Sequence, residues 1–180
     1  ALGATAVHTI TINDDDPAPS LTFDSAAKPV AEGAGAVSVA LSLSGASSFD
    51  VSVSYSVSGT AANPGDHNLS AGTATIPAGQ TRASISFNVV NDTLDGLEKT
   101  VILTLGAPTH AALGATTLHT VTIADDDPTP TVAFDRSAQT VAELVGTVTV
   151  TVNLSAASSL PVTVPYAVSG TATNPADHNL

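Results

Sequence analysis

Apolar and polar residues alternate along most of the chain: Leu21 and Phe23; Val37, Val39, Leu41 and Leu43; Val51, Val53, Tyr55 and Val57; Ile85, Phe87 and Val89; Val101, Leu103 and Leu105; Val121 and Ile123. A period of two sends successive side chains to opposite faces, so each run predicts a strand with one buried face. Turn residues punctuate the runs at Asn63-Pro64-Gly65-Asp66, Pro77-Ala78-Gly79 and Asn91-Asp92. The pattern predicts seven strands: A over 19–31, broken near Pro29, then B over 36–44, C over 50–57, a short D over 72–76, E over 81–90, F over 99–106 and G over 115–124. No helical period competes. The fold class is therefore all-β, and seven strands in about 110 residues is the size of an immunoglobulin-like β-sandwich.

The pattern also repeats. Residues 1–17 recur as residues 112–128 with 13 of 17 positions identical, and residues 18–69 align without a gap to residues 129–180 with 29 of 52 identical. Both offsets are 111, so the sequence divides into the C-terminal strand of a preceding repeat (1–17), one complete repeat (18–128) and the N-terminal half of a following repeat (129–180). It reads as a window on a longer tandem array.

Composition narrows the functional classes. There is no cysteine, which removes disulfides, thiol nucleophiles and thiolate metal sites. Sixteen acidic side chains against four basic ones give a net charge of −12 and argue against a nucleic-acid partner. No apolar run is long enough for a membrane-spanning helix. No Ser-His-Asp order accompanies an oxyanion-type glycine motif, so the expectation is a protein that is not an enzyme.

The acids are not scattered. In a sandwich whose strands run up and down, the A–B, C–D and E–F loops and the end of strand G share one pole. Those places hold Glu32, Asp66, Asp92, Asp95, Glu98, Asp125, Asp126 and Asp127. With the equivalents Asp14, Asp15, Asp16, Glu143 and Asp177 in the partial repeats, 13 of 16 acids lie at such positions, and only Asp24, Asp50 and Asp135 do not. Two carboxylates about 4 Å apart repel by about 4 kcal/mol at an effective dielectric near 20, so a confined group splays, protonates or takes up cations. Hard oxygen donors in this number select Ca²⁺ over Zn²⁺, Cu²⁺ or Mg²⁺. Alternation along the exit of strand G suggests Asp125 and Asp127 on one ion and Asp126 on another, hence more than one ion per complete repeat. The bland alternative for Asp125-Asp126-Asp127 alone is a solvated turn.

Several ordered motifs carry a family resemblance: Val30-Ala31-Glu32-Gly33, Gly59-Thr60-Ala61 followed by Gly65-Asp66-His67, Gly72-Thr73 leading to Ile76-Pro77-Ala78-Gly79-Gln80-Thr81, Asn91-Asp92-Thr93-Leu94, and Val121-Thr122-Ile123-Ala124-Asp125-Asp126-Asp127. Together they resemble a Calx-beta domain. The resemblance implies an immunoglobulin-like sandwich that, in calcium-sensing members, binds several Ca²⁺ ions at the pole nearest the next domain, with Glu32, Asp66, Asp92, Glu98 and Asp125 to Asp127 on the acidic positions. Three places depart from the family pattern: His67 for the usual Tyr, Asn91 for an acid, and Asp95-Gly96-Leu97-Glu98-Lys99, which is less acidic and brings a cation.

The remaining candidates are weaker. His8 and His119 are equivalent and fall in phase with the apolar positions of strand G, as core or rim residues, while His67 and His178 either pack over the site or lend it a nitrogen, packing being the preferred reading. His110 has no counterpart in the partial repeats, and three glycosylation sequons (Asn68, Asn91, Asn153) are within chance for a chain so rich in Ser and Thr. The expected function is a calcium-binding structural or adhesive segment of a long extracellular or cell-surface protein, whose partners are neighbouring repeats of the same chain or other copies in a fibre or surface layer. Ca²⁺ at the pole would fix each repeat against the next. A regulatory calcium sensor and a calcium-independent filament or sheath subunit are the two alternatives.

Overall fold

The structure, a computed structural model, describes residues 3–13, 15–174 and 176–178. Two sheets pack face to face. One has the order β6-β3-β1-β8, from β1 (Ser20–Phe23), β3 (Ala36–Leu43), β6 (Arg82–Asn88) and β8 (Ala112–Leu113). The other has the order β2-β9-β7-β4-β5, from β2 (Ala27–Ala31), β4 (Val51–Ser58), β5 (Gly72–Ile76), β7 (Lys99–Pro108) and β9 (Leu118–Ala124). A separate two-stranded sheet pairs β10 (Val132–Phe134) with β11 (Val152–Leu154).

The expected alternation decides which side chains go inside. In β3 the residues Val37, Val39, Leu41 and Leu43 are buried, and in β7 and β9 so are Val101, Leu103, Leu105, Val121 and Ile123. Leu21, Phe23, Val51, Val53, Ile76, Ile85, Phe87 and Val89 complete an aliphatic core between the sheets. His119 belongs to it at 2% exposure, tilted against Phe23. Its Nδ1 lies 2.6 Å from the Ser25 carbonyl oxygen, which only accepts, so Nδ1 donates there, and the buried Nε2 has no hydrogen-bond partner among the described residues.

The expected strand A is two strands. β1 pairs antiparallel with β3 in one sheet, and β2 pairs parallel with β9 in the other. The crossing falls at residues 24–26 rather than at Pro29. The Asp24 N–H still bonds the Ala40 carbonyl and the Ala26 carbonyl already accepts from the Thr120 N–H, so backbone pairing passes from one sheet to the other within three residues. Pro29 is tolerated inside β2 because β2 is an edge strand, where one side of the backbone needs no partner.

The flanking segments behave as sequence without a full complement of neighbours. Among the described residues of 3–19 there is no strand, and Val7, Ile10 and Ile12 are exposed, whereas the equivalent segment β9 is sandwiched between β2 and β7. Among the described residues no strand flanks residues 3–13 or 15–17. His8 is exposed for the same reason. After residue 128, β10 pairs with β11 in the register Val132↔Leu154, offset by 111 from Leu21↔Leu43 between β1 and β3. The hairpin therefore forms locally while its apolar face, including Phe134 and Val150, stays open.

Candidate metal centre

Four connections bring the acids together. A short 3-10 turn, Glu32–Ala34, follows β2 and carries Glu32, which is only 6% exposed. The loop between β4 and β5 carries Asp66, the loop between β6 and β7 carries Asp92, Asp95 and Glu98, and the chain leaving β9 carries Asp125 to Asp127. Glu32, Asp66, Asp125 and Lys99 line one crevice at this pole. Of the eight acids expected at this pole, Glu32, Asp66 and Asp125 line that crevice together.

Within the pole the acids divide into distinct environments. Glu32, Asp92 and Asp127 each offer a carboxylate oxygen, and the three oxygens lie within 4.8 Å of one another. The Asp92 N–H donates to Glu32 Oε1 at 3.1 Å, which ties the two loops together. Asp127 Oδ2 is buried and has no hydrogen-bond partner among the described residues. A buried acceptor without a donor, next to two other carboxylates, is an arrangement a cation would relieve.

Electrostatics show the same crowding. Burial pushes the Glu32 carboxyl above its ordinary value, with Asp92 and Asp125 adding to the rise and the Asp92 N–H and Lys99 opposing it. Asp127 is likewise raised, by desolvation first and then by Asp125, Asp126, Asp92 and Asp95. Both groups resist carrying their charge when no counter-ion is present.

Asp66 is held differently. Burial alone would raise it, but the Lys99 ammonium at 2.6 Å and the Ala62 N–H outweigh that and keep the carboxyl below its usual range. The same pairing raises Lys99. Lys99, visible in the sequence as a cation beside the site, is therefore a direct partner of one expected ligand. Asp125 Oδ2 accepts from the Gly96 N–H at 3.0 Å instead of joining Asp127, because β9 ends at Ala124 and the chain leaves the strand pleat there. Asp126 is exposed, and its Oδ2 and Asn91 Oδ1 both lie close over Gly33. Glu98 is exposed.

Asp95 is engaged by a later segment of the chain, where Ser158 Oγ donates to its Oδ2 at 2.8 Å. The Ser159 hydroxyl donates to the Asp95 carbonyl at 3.1 Å, and neither Ser158 nor Ser159 is a candidate on charge or motif grounds; the nearest signal is the Asp95-Gly96 turn. Asp24 pairs with Arg82, Asp50 accepts from the Ala78 N–H and Asp135 pairs with Arg136, so the acids outside the pole have cationic or N–H partners of their own.

The partial repeats keep only local geometry. Glu143 opens a 3-10 turn, Glu143–Val145, like that of Glu32, but is exposed. Asp177 accepts from the Thr173 N–H as Asp66 does from Ala62, and that bond with the Thr173 hydroxyl lowers its carboxyl. Asp15 and Asp16 are exposed, and Asp14 lies outside the described residues. His67 packs: it is buried, edge-on to Phe87, and its Nδ1 accepts from the Leu69 N–H at 3.1 Å.

The sequence profile of the Calx-beta domain matches residues 14–127 and again 125–180. The chain belongs to the Calx-beta domain family. Among solved structures, the apo-form Calx CBD1 domain is similar over 62% of this chain and 100% of its own, at 25% identity and a TM-score of 0.57. The calcium binding domain CBD12 of CALX1.1 is similar over 70% of this chain and 54% of its own, at 26% identity and a TM-score of 0.57. The Calx CBD2 domain, at 12% identity and a TM-score of 0.54, shares the fold. No curated protein matches the chain.

Proposed function

We propose that this Calx-beta chain binds Ca²⁺ at the acidic pole, with Glu32, Asp92 and Asp127 holding the first ion, and that bound calcium stiffens one repeat against the next in an extracellular array. The observation that carries the reading is Asp127, whose buried Oδ2 has no hydrogen-bond partner among the described residues and whose carboxylate places an oxygen within 4.8 Å of oxygens of Glu32 and Asp92. Three hard oxygens suit Ca²⁺, which fills the rest of its shell from carbonyls, further carboxylates or water. Asp125 and Asp126 are adjacent reserves for a second ion. Asp66 joins only if Lys99 lets go, and Asp95 only if Ser158 does.

The array reading is supported by the period of 111 and by the contact between Asp95 and Ser158, which joins two successive units next to the pole. A stalk gains length from every added repeat, and millimolar external calcium keeps sites of modest affinity filled. Neutralising Asp125 to Asp127 with cations removes the repulsion that would otherwise make this junction splay. The test is the thermal melting of the full chain in chelator, in millimolar Mg²⁺ and in millimolar Ca²⁺. The reading expects a rise in melting temperature specific to Ca²⁺, and equal melting in all three conditions contradicts it.

A further inference from the structure

The contact between successive units is made by one loop meeting one corner. Asp95, 8% exposed, forms an isolated parallel bridge with Ser158. The Ser159 N–H and the Ser159 hydroxyl donate to the Asp95 carbonyl at 2.9 and 3.1 Å, and Ser158 Oγ, whose single hydrogen serves the nearer carboxylate, lies 3.1 Å from the same carbonyl. Ser158 Oγ also reaches the Asp95 carboxylate at 2.8 Å. Gly96 permits the approach: a Cβ there would sit 2.9 Å from Ser159 Oγ.

Ser158 is pre-set for this by its own segment. Its Oγ accepts from the Leu160 N–H at 3.1 Å, which leaves the hydroxyl hydrogen directed outward for Asp95. The complete repeat carries the same device at the same offset. Ser47 Oγ accepts from the Phe49 N–H at 3.0 Å, and Ser47 and Ser48 are the counterparts of Ser158 and Ser159. The corner is rigid as well: Phe49, 59% exposed, stacks on His110 at 4.8 Å, and the Ser47 carbonyl accepts from the Gly79 N–H.

We propose that the Ser47-Ser48-Phe49 corner is a docking site for the Asp95-type loop of a preceding copy of this repeat, held by serine hydroxyls to one aspartate carboxylate and its carbonyl. The occupant follows from the contact already made between Asp95 and the equivalent corner at residues 158–160. The docking uses no cation, so it stands apart from the calcium reading.

The chain has no native cysteine, so a disulfide trap reads the contact cleanly. Placing a copy of residues 18–111 ahead of residue 1 completes a preceding repeat from the chain's own sequence. In this extended chain, Asp95→Cys in the added copy is combined with Ser47→Cys and oxidised in chelator. The control in the 180-residue chain is Asp95→Cys with Ser158→Cys. Both pairs are expected to close, each more than about tenfold faster than a pair with Ser38→Cys on the exposed face of β3, because docking raises the effective concentration only for the correct partner. Closure of the control without closure at Ser47 overturns the proposal, as does failure of both. Absence of calcium binding leaves these results untouched.

Discussion

Replacing Glu32 by Gln changes the charge of the three-acid group while keeping its shape, and the effect on stability should reverse sign with calcium. The Gln side chain retains an oxygen for the Asp92 N–H, so the 3.1 Å bond between the two loops survives. Without a cation, the change removes repulsion between carboxylate oxygens no more than 4.8 Å apart. Coulomb's law at that separation gives about 0.9 kcal/mol in bulk water and about 3.5 kcal/mol at an effective dielectric of 20. Glu32 is buried at the rim of an open crevice, so the lower half of that interval applies, about 1–2 kcal/mol. For a repeat of this size that is a rise of about 3–8 °C in melting temperature in chelator. In saturating calcium the same variant loses a charged ligand and melts below the unmodified chain. For scale, a ligand at one hundred times its dissociation constant stabilises by about 2.7 kcal/mol. Differential scanning calorimetry of both proteins, with chelator and with millimolar Ca²⁺, reads all four values. A Glu32→Gln chain that melts lower in chelator, or that keeps the full calcium-induced rise, refutes the reasoning.

Three other outcomes follow from the same geometry. Lys99→Gln removes the cation that pairs with Asp66 at 2.6 Å and also acts on Asp92 and Glu32. It should cost about 1 kcal/mol in chelator yet tighten calcium binding about three- to tenfold, read by titration calorimetry; weaker binding would mean that Lys99 organises the site rather than competes for it. In chelator, stability should rise as pH falls from neutral toward the usual Glu value of 4.5, because the raised Glu32 and Asp127 groups favour their protonated forms in the folded state. It should then drop below the usual Asp value of 3.8, where lowered Asp66 protonates and its pairing with Lys99 is lost. With calcium bound the first trend inverts as protons compete with the ion, so a stability curve measured by denaturant at several pH values, identical with and without calcium, would contradict it. Gly59→Ala should destabilise by about 3 kcal/mol, about 10 °C, since φ is +125° and the new Cβ would clash with the Thr100 carbonyl oxygen. A melting shift under 2 °C, about half a kcal/mol, would show that the loop carrying Asp66 relaxes freely.

The sandwich was legible because its core is written in alternation: Val37 to Leu43 and Val101 to Leu105 place every second residue inside, and no other period fits. The pole was legible because connectivity alone decides which loops share an end. The sheet crossing at residues 24–26 was not, since Pro29 is the louder local signal and only the tertiary pairing of β2 on the edge makes it harmless. Within the pole, sequence identifies carboxylates but not where each one points. Asp66 is drawn to Lys99, Asp125 to the Gly96 N–H and Asp95 to Ser158, contacts spanning 33, 29 and 63 residues that no local pattern encodes. Glu32, Asp92 and Asp127 remain grouped because the Asp92 N–H clips one loop to the other.

Calcium titration of the full chain by isothermal calorimetry, beside the Asp127→Asn variant, tests the central claim most directly. The account predicts a saturable binding heat at or below millimolar Ca²⁺ that the variant weakens at least about tenfold, a loss of about 1.4 kcal/mol in binding free energy. No heat in the unmodified chain, or equal titrations for the two proteins, would contradict it.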